Sequence, residues 1–121
     1  MNFLEMISAH VRWKQRLLTY IQEKSEPLDP AVICRDDQCR LGKWIYGEGK
    51  AYTAAKHFEK VRSAHAAFHK HAAAVVTFVN RGDRDMATEV LNGEYARVSN
   101  NLKRDIIALA QEVGASLDGA E

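Results

Sequence analysis

Apolar side chains recur at helical spacing over most of the chain. From about Asn2 to Lys24, Phe3, Leu4, Ile7, Val11, Leu17, Leu18 and Ile21 keep the helical period, and Met6, Trp13 and Tyr20 repeat every seven residues in the row beside them. Together the rows span an arc of roughly 160°, wider than the ~100° stripe of a helix buried on one side. The excess predicts that part of this helix meets a second subunit. A second long pattern follows the turn at Gly47 to Gly49, with Thr53 as its cap, and carries Phe58, Val61, His65, Phe68, Ala72, Val75, Val76 and Val79. Asn80-Arg81-Gly82 ends it. Asp83 can cap the last helix, which holds Met86, Val90, Leu91, Tyr95, Val98, Leu102, Ile106, Leu109 and Val113.

Between the first two long patterns lie shorter signals. Ser25 to Pro30 breaks the first helix, and Asp29-Pro30 reads as an N-cap with proline at the first helical position, opening a turn through Ala31, Val32 and Ile33. Asp37 is a cap candidate for a short helix from Gln38 to Tyr46, with Gly47 as its stop. Leu41, Trp44 and Ile45 give that helix an apolar edge, so it should dock on the others. Gly42 inside it points to a close backbone approach. No segment alternates with period two for long enough to be a strand. The expected fold is all-α: a four-helix bundle with an extra short helix carrying Cys39, dimeric, as one domain over residues 1–115 with a frayed tail over 116–121.

Composition narrows the function. Seventeen basic and sixteen acidic side chains give a net charge of +1, which leaves no basic stripe for nucleic acid. The longest apolar run, Ala72 to Val79, is far short of the roughly 20 residues that cross a bilayer and is broken by Thr77. Glu5 lies within the amphipathic N-terminal pattern, which is therefore not a signal peptide. Two cysteines, Cys34 and Cys39, are too few for a disulfide framework. The expectation is a cytoplasmic protein with reduced thiols, binding neither nucleic acid nor membrane.

The candidate chemistry centres on His65 and His69. At i and i+4 they stand on one helix face, one turn apart, a spacing that chelates a tetrahedral metal. His10 lies in the apolar row of Phe3 and Leu17, and Cys39 in the first turn of the short helix, where the helix start favours thiolate over thiol. Taken singly, His10 reads as a hydrogen-bonded core histidine and Cys39 as a small buried hydrophobe. Taken together, three buried imidazoles without a shared partner leave several nitrogens unsatisfied, and one Zn2+ held by His10, Cys39, His65 and His69 resolves this. His71 points away from the pair and His57 lies two turns before His65, so both are expected on a flank or interface; Cys34 is expected to be a buried bystander, with a resolving thiol as the alternative.

Three segments carry a family resemblance: Ala9-His10-Val11-Arg12-Trp13, Cys39-Arg40-Leu41-Gly42-Lys43-Trp44-Ile45-Tyr46-Gly47 and Ala64-His65-Ala66-Ala67-Phe68-His69. In order and spacing they resemble the signature of the chemoreceptor zinc-binding (CZB) domain, the Cys-x-Leu-Gly-x-Trp segment being the specific part. The resemblance implies zinc at the same four residues and a helical homodimer. It also implies a sensory module that works with chemotaxis receptors or diguanylate cyclases and responds to oxidants such as hypochlorous acid or to zinc itself. The 121 residues contain neither a receptor signalling coil nor a cyclase domain, so the output partner stays open. A structural zinc that staples a dimerisation module is the alternative. A metal-dependent hydrolase comes last: four protein ligands close the shell, and Ala66 stands where a His-Glu-x-x-His enzyme has its general base. No catalytic residue is expected.

Overall fold

A computed structural model describes residues 2–23 and 27–117. The elements run α1 (Phe3–Glu23), α2 (Pro30–Ile33), α3 (Arg40–Tyr46), a 3-10 turn (Glu48–Tyr52), α4 (Lys56–Asn80), α5 (Arg84–Val90), a π turn (Leu91–Tyr95) and α6 (Ala96–Glu112). Among the described residues there is no strand. The predicted end of the first helix at Lys24, the start of the following break at Ser25 and tail residues 118–121 lie outside the described residues.

α1 buries Phe3, Met6, Ile7, His10, Leu17, Tyr20 and Ile21. Leu4 and Val11, in the wide apolar arc, remain half exposed, at 50% and 51%. The Tyr20 hydroxyl donates to Asn80 Oδ1 at 2.6 Å, which ties the end of α1 to the end of α4. At the other end, the Leu4 N–H donates to the Leu117 carbonyl at 2.8 Å, so part of the expected tail is held on α1. α1 therefore runs parallel to α4, and α5 and α6 return antiparallel to both. The bundle has three long rods, with α5, the π turn and α6 forming the third and the short α2 packed on α4. Its core runs along α4 and α6 through Val61, Phe68, Val75, Val76, Leu102, Ile106 and Leu109, all essentially inaccessible. Each such side chain stabilises the fold by about 1.5–3 kcal/mol relative to exposure.

Helix starts show where local signals were overruled. Asp29 accepts from the Ala31 N–H at 2.9 Å with Pro30 at the first helical position, and Asp83 accepts from the Met86 N–H at 3.0 Å, both as the sequence predicts. α3 is different: its cap is Cys39 rather than Asp37. Cys39 is extended, with φ −81° and ψ 167°, and its sulfur accepts from the Gly42 N–H at 3.4 Å. α4 is not capped by Thr53. The 3-10 turn continues to Tyr52 and delays the helix to Lys56. The N–H groups of Lys56 and His57 then donate to the carboxylate of Glu112 at the far end of α6. A cap supplied from 55 residues away leaves no local signal.

α3 is fixed by its aromatic and glycine positions. Leu41 and Ile45 are buried, and Trp44 sits edge-on to Phe3 and stacked with Tyr52, at ring-centroid distances of 5.3 and 5.9 Å. A Cβ on Gly42 would stand 1.8 Å from the Asp36 carbonyl oxygen. The loop before α3 thus lies directly against the helix backbone, as the glycine suggested.

Candidate metal centre

Four donor side chains converge from two helices and one helix cap. His10 comes from α1, His65 and His69 from α4, and Cys39 from the residue that opens α3. Their ligand atoms all lie within 4.8 Å of one another. Cys39 Sγ is 3.1 Å from His65 Nε2, 3.7 Å from His69 Nε2 and 3.9 Å from His10 Nε2, and the two α4 nitrogens are 3.0 Å apart. Tetrahedral zinc with ordinary bond lengths places sulfur about 3.6 Å from each nitrogen and the nitrogens about 3.3 Å apart. These four separations are close to those values, and the remaining two, from His10 to the α4 nitrogens, lie within 4.8 Å.

The other side of each ring explains its aim. His10 Nδ1 lies 2.6 Å from the Met6 carbonyl oxygen and His69 Nδ1 lies 2.9 Å from that of Ile33. A carbonyl there holds the proton on Nδ1 and turns the Nε2 lone pair inward. His65 Nδ1 is buried with no hydrogen-bond partner, and its Nε2 faces the other donors. Inward lone pairs and a sulfur repel one another unless a cation or proton lies between them. The donor set therefore fits a divalent ion of zinc's coordination chemistry.

Electrostatics favours the same arrangement. Burial pushes His10 down to about 4, against the opposing Met6 carbonyl, with a further lowering from His69. Burial pushes His65 down to about 2, assisted by His69 and His10, and lowers His69 against the Ile33 carbonyl. All three rings are neutral at pH 7, the form that binds metal. The Cys39 thiol is pushed up by burial, which outweighs the Gly42 and Leu41 N–H groups that favour its anion. The helix start does favour thiolate through those N–H groups, as expected, but desolvation outweighs it. A cation beside this sulfur would favour its ionisation.

A family profile described as the chemoreceptor zinc-binding domain matches residues 10–76, from the first histidine past the last. The chain belongs to the CZB family. No curated protein and no solved structure matches it. The CZB match covers more than half of the chain and includes the three segments that suggested it, apart from Ala9. Its family is one of zinc-binding domains of chemoreceptors rather than of enzymes. No helix of the CZB chain, among the described residues, is long and apolar enough to cross a membrane.

The remaining candidates lie apart from the cluster. His57 Nδ1 pairs with the Glu112 carboxylate at 2.7 Å, and neither His57 nor His71 joins the four donors. Cys34 is exposed, not buried as expected; its thiol donates to the Ala31 carbonyl oxygen at 3.4 Å. α2 stops at Ile33, and the chain turns out to solvent there. The carbonyls of Met6 and Ile33 were beyond sequence reasoning, because any residue supplies a carbonyl. Two surface grooves, of about 520 and 480 Å³, both reach Cys39, one past Met6 and Arg40, the other past Trp13 and Gln38.

Proposed function

We propose that the chain is a zinc-binding sensory domain in which His10, Cys39, His65 and His69 ligate the ion and Cys39 is the responsive ligand. The observation that carries this reading is the convergence of four donor atoms within 4.8 Å in a chain of the CZB family. Zinc, when bound, holds the sulfur as thiolate and leaves no position for a substrate water. His10 and His69 stay aimed by their carbonyls. Cys39 is the exposed member of the set: it is only half-buried and lies at the head of a seven-residue helix.

Oxidation would act on that sulfur. The thiolate gives two electrons to hypochlorous acid, gains its hydroxyl and releases chloride, which makes a sulfenic acid. The product is a poorer ligand, and the Gly42 N–H loses its sulfur cap. α3 then loosens from the centre while the α4–α6 core remains packed. Zinc withdrawal would free the same element, so the zinc-level reading shares this output. A purely structural zinc is the second reading; the extent of apolar core away from the centre argues against it, because that core does not depend on the ion.

The test follows zinc release with a chromophoric chelator. Wild-type protein is expected to release its zinc on addition of hypochlorous acid. Cys39→Ala is expected to bind more weakly and to show no oxidant-triggered release, while Cys34→Ser behaves as wild type. Equal release from Cys39→Ala would place the response elsewhere.

A homodimer through α1 belongs to the same proposal, supported by the exposed Leu4 and Val11 seven residues apart on one row. Val11→Asp is expected to give the monomer mass by sedimentation at micromolar concentration where wild type gives twice that mass. A monomeric wild type would remove the dimer from the account. The further step, to a chemotaxis receptor or a diguanylate cyclase as output partner in the cytoplasm, rests on the family alone.

A further inference from the structure

The third rod is not a regular helix. Between α5 and α6 the backbone makes a π turn at Leu91–Tyr95. Such turns are rare and concentrate at functional sites. Packing does not demand this one through its glycine: a Cβ on Gly93 would meet nothing within 4 Å. Tyr95, the last residue of the turn, is 1% exposed, and its hydroxyl is buried with no hydrogen-bond partner. Two unfavourable features, an irregular backbone and an orphaned hydroxyl, coincide at one residue.

Tyr95 lies one ring away from the metal centre. Its ring packs on Phe68 at 5.2 Å between centroids. Phe68 is fully buried, and its ring meets His10 at 5.0 Å and His69 at 5.6 Å, near perpendicular to both. Phe68 thus touches imidazoles from α1 and α4 on one side and the π turn on the other.

We propose that the π turn is a read-out element of the metal centre, with Phe68 and Tyr95 as the positioning residues that connect them. This rests on the reading of the centre as a zinc sensor. The turn has two arrangements. In the one described, the extra residue lies at 91–95 and Tyr95 points inward. In the other, the bulge has moved past Tyr95, which turns by about 100° toward water while α6 stays docked. Ligation fixes the His10 and His69 rings against Phe68 and so holds Tyr95 inside. Loss of the ion leaves each ring held by its carbonyl alone, which loosens its packing on Phe68, and the unpaired hydroxyl then draws Tyr95 toward solvent. A change at the centre would in this way reach the third rod as well as α3.

Hydrogen exchange by mass spectrometry on the full chain, with zinc or with excess chelator, tests this. The amides of Leu91–Tyr95 are expected to exchange about tenfold more slowly with zinc, as expected of a local opening that ligation suppresses. Phe68→Leu is expected to keep one zinc per chain and lose that difference. Tyr95→Phe, which has no hydroxyl to draw outward, is expected to exchange slowly at 91–95 even without zinc. If Phe68→Leu does not fold, Tyr95→Phe decides. The proposal is overturned if zinc slows exchange over Arg40–Tyr46 but leaves 91–95 unchanged in the wild type, or if both variants respond to zinc as wild type does. A wild-type chain that takes up no zinc overturns the reading of the centre itself, and this proposal with it.

Discussion

Gly42→Ala is expected to weaken zinc binding by about 100-fold or more while the bundle stays helical, since loss of even an outer support costs a metal site about 10–100-fold. The reason is steric and local. A Cβ at this position would stand 1.8 Å from the Asp36 carbonyl oxygen and 2.9 Å from the Asp37 Cα, both backbone atoms that cannot turn aside. Either α3 lifts or the loop before it moves. Both displace Cys39, whose sulfur is held by the N–H of Gly42 itself at 3.4 Å. The long core of α4 and α6 is remote from this clash, so circular dichroism should change little. Zinc affinity measured by competition with a chromophoric chelator gives the decisive number. Wild-type affinity in Gly42→Ala would mean that the sulfur is not needed for tight binding or that α3 docks without this close approach.

His65→Ala and His69→Ala carry the other large effect: zinc content falls from one ion per chain to near none. His65 has the stronger case. Its ring is fully buried, and its Nε2 lies 3.1 Å from Cys39 Sγ and 3.0 Å from His69 Nε2. His57→Ala and His71→Ala should leave zinc content unchanged, because His57 is occupied with Glu112 and neither ring enters the cluster. Elemental analysis of the purified variants separates the two pairs. Loss of zinc from His71→Ala equal to that from His65→Ala would show that the ligand set is wrong. His65→Ala also leaves a void where a buried ring stood, and large-to-small changes of this kind cost about 2–5 kcal/mol. A lower melting temperature in that variant therefore mixes lost packing with lost ligation, and zinc content is the cleaner readout.

Much of this molecule is legible in its sequence, and the illegible part has a common cause. Periodicity places α1, α4 and α6, because one buried face repeats every 3.6 residues regardless of what packs against it. Asp29-Pro30 and Asp83 declare their helix starts because their caps are local. Three features escape for the opposite reason, since each depends on a residue far away in the chain or on the final packing. Glu112 caps α4 from the end of α6. Cys39 displaces Asp37 as the cap of α3 because the sulfur is drawn between that helix and the imidazoles. The π turn at Leu91–Tyr95 hides inside an unbroken apolar pattern, because Leu91 and Tyr95 stand at i and i+4 as in any helix.

The site follows the same rule. The four side chains that converge were readable: His65 and His69 by spacing, His10 by its apolar row, and Cys39 by its place in a specific motif. Their orientation was not, because it rests on the carbonyls of Met6 and Ile33, which no side-chain pattern encodes. Nor was the exposure of Cys34. A small apolar side chain after Val32 and Ile33 reads as core, yet α2 is too short to bring it round to the buried face.

X-ray absorption at the zinc edge, on protein loaded with one equivalent of zinc, tests the central claim most directly. The account predicts a four-coordinate ion with one sulfur at about 2.3 Å and three imidazole nitrogens at about 2.0–2.1 Å. A first shell without sulfur, or one completed by water in place of an imidazole, would contradict it.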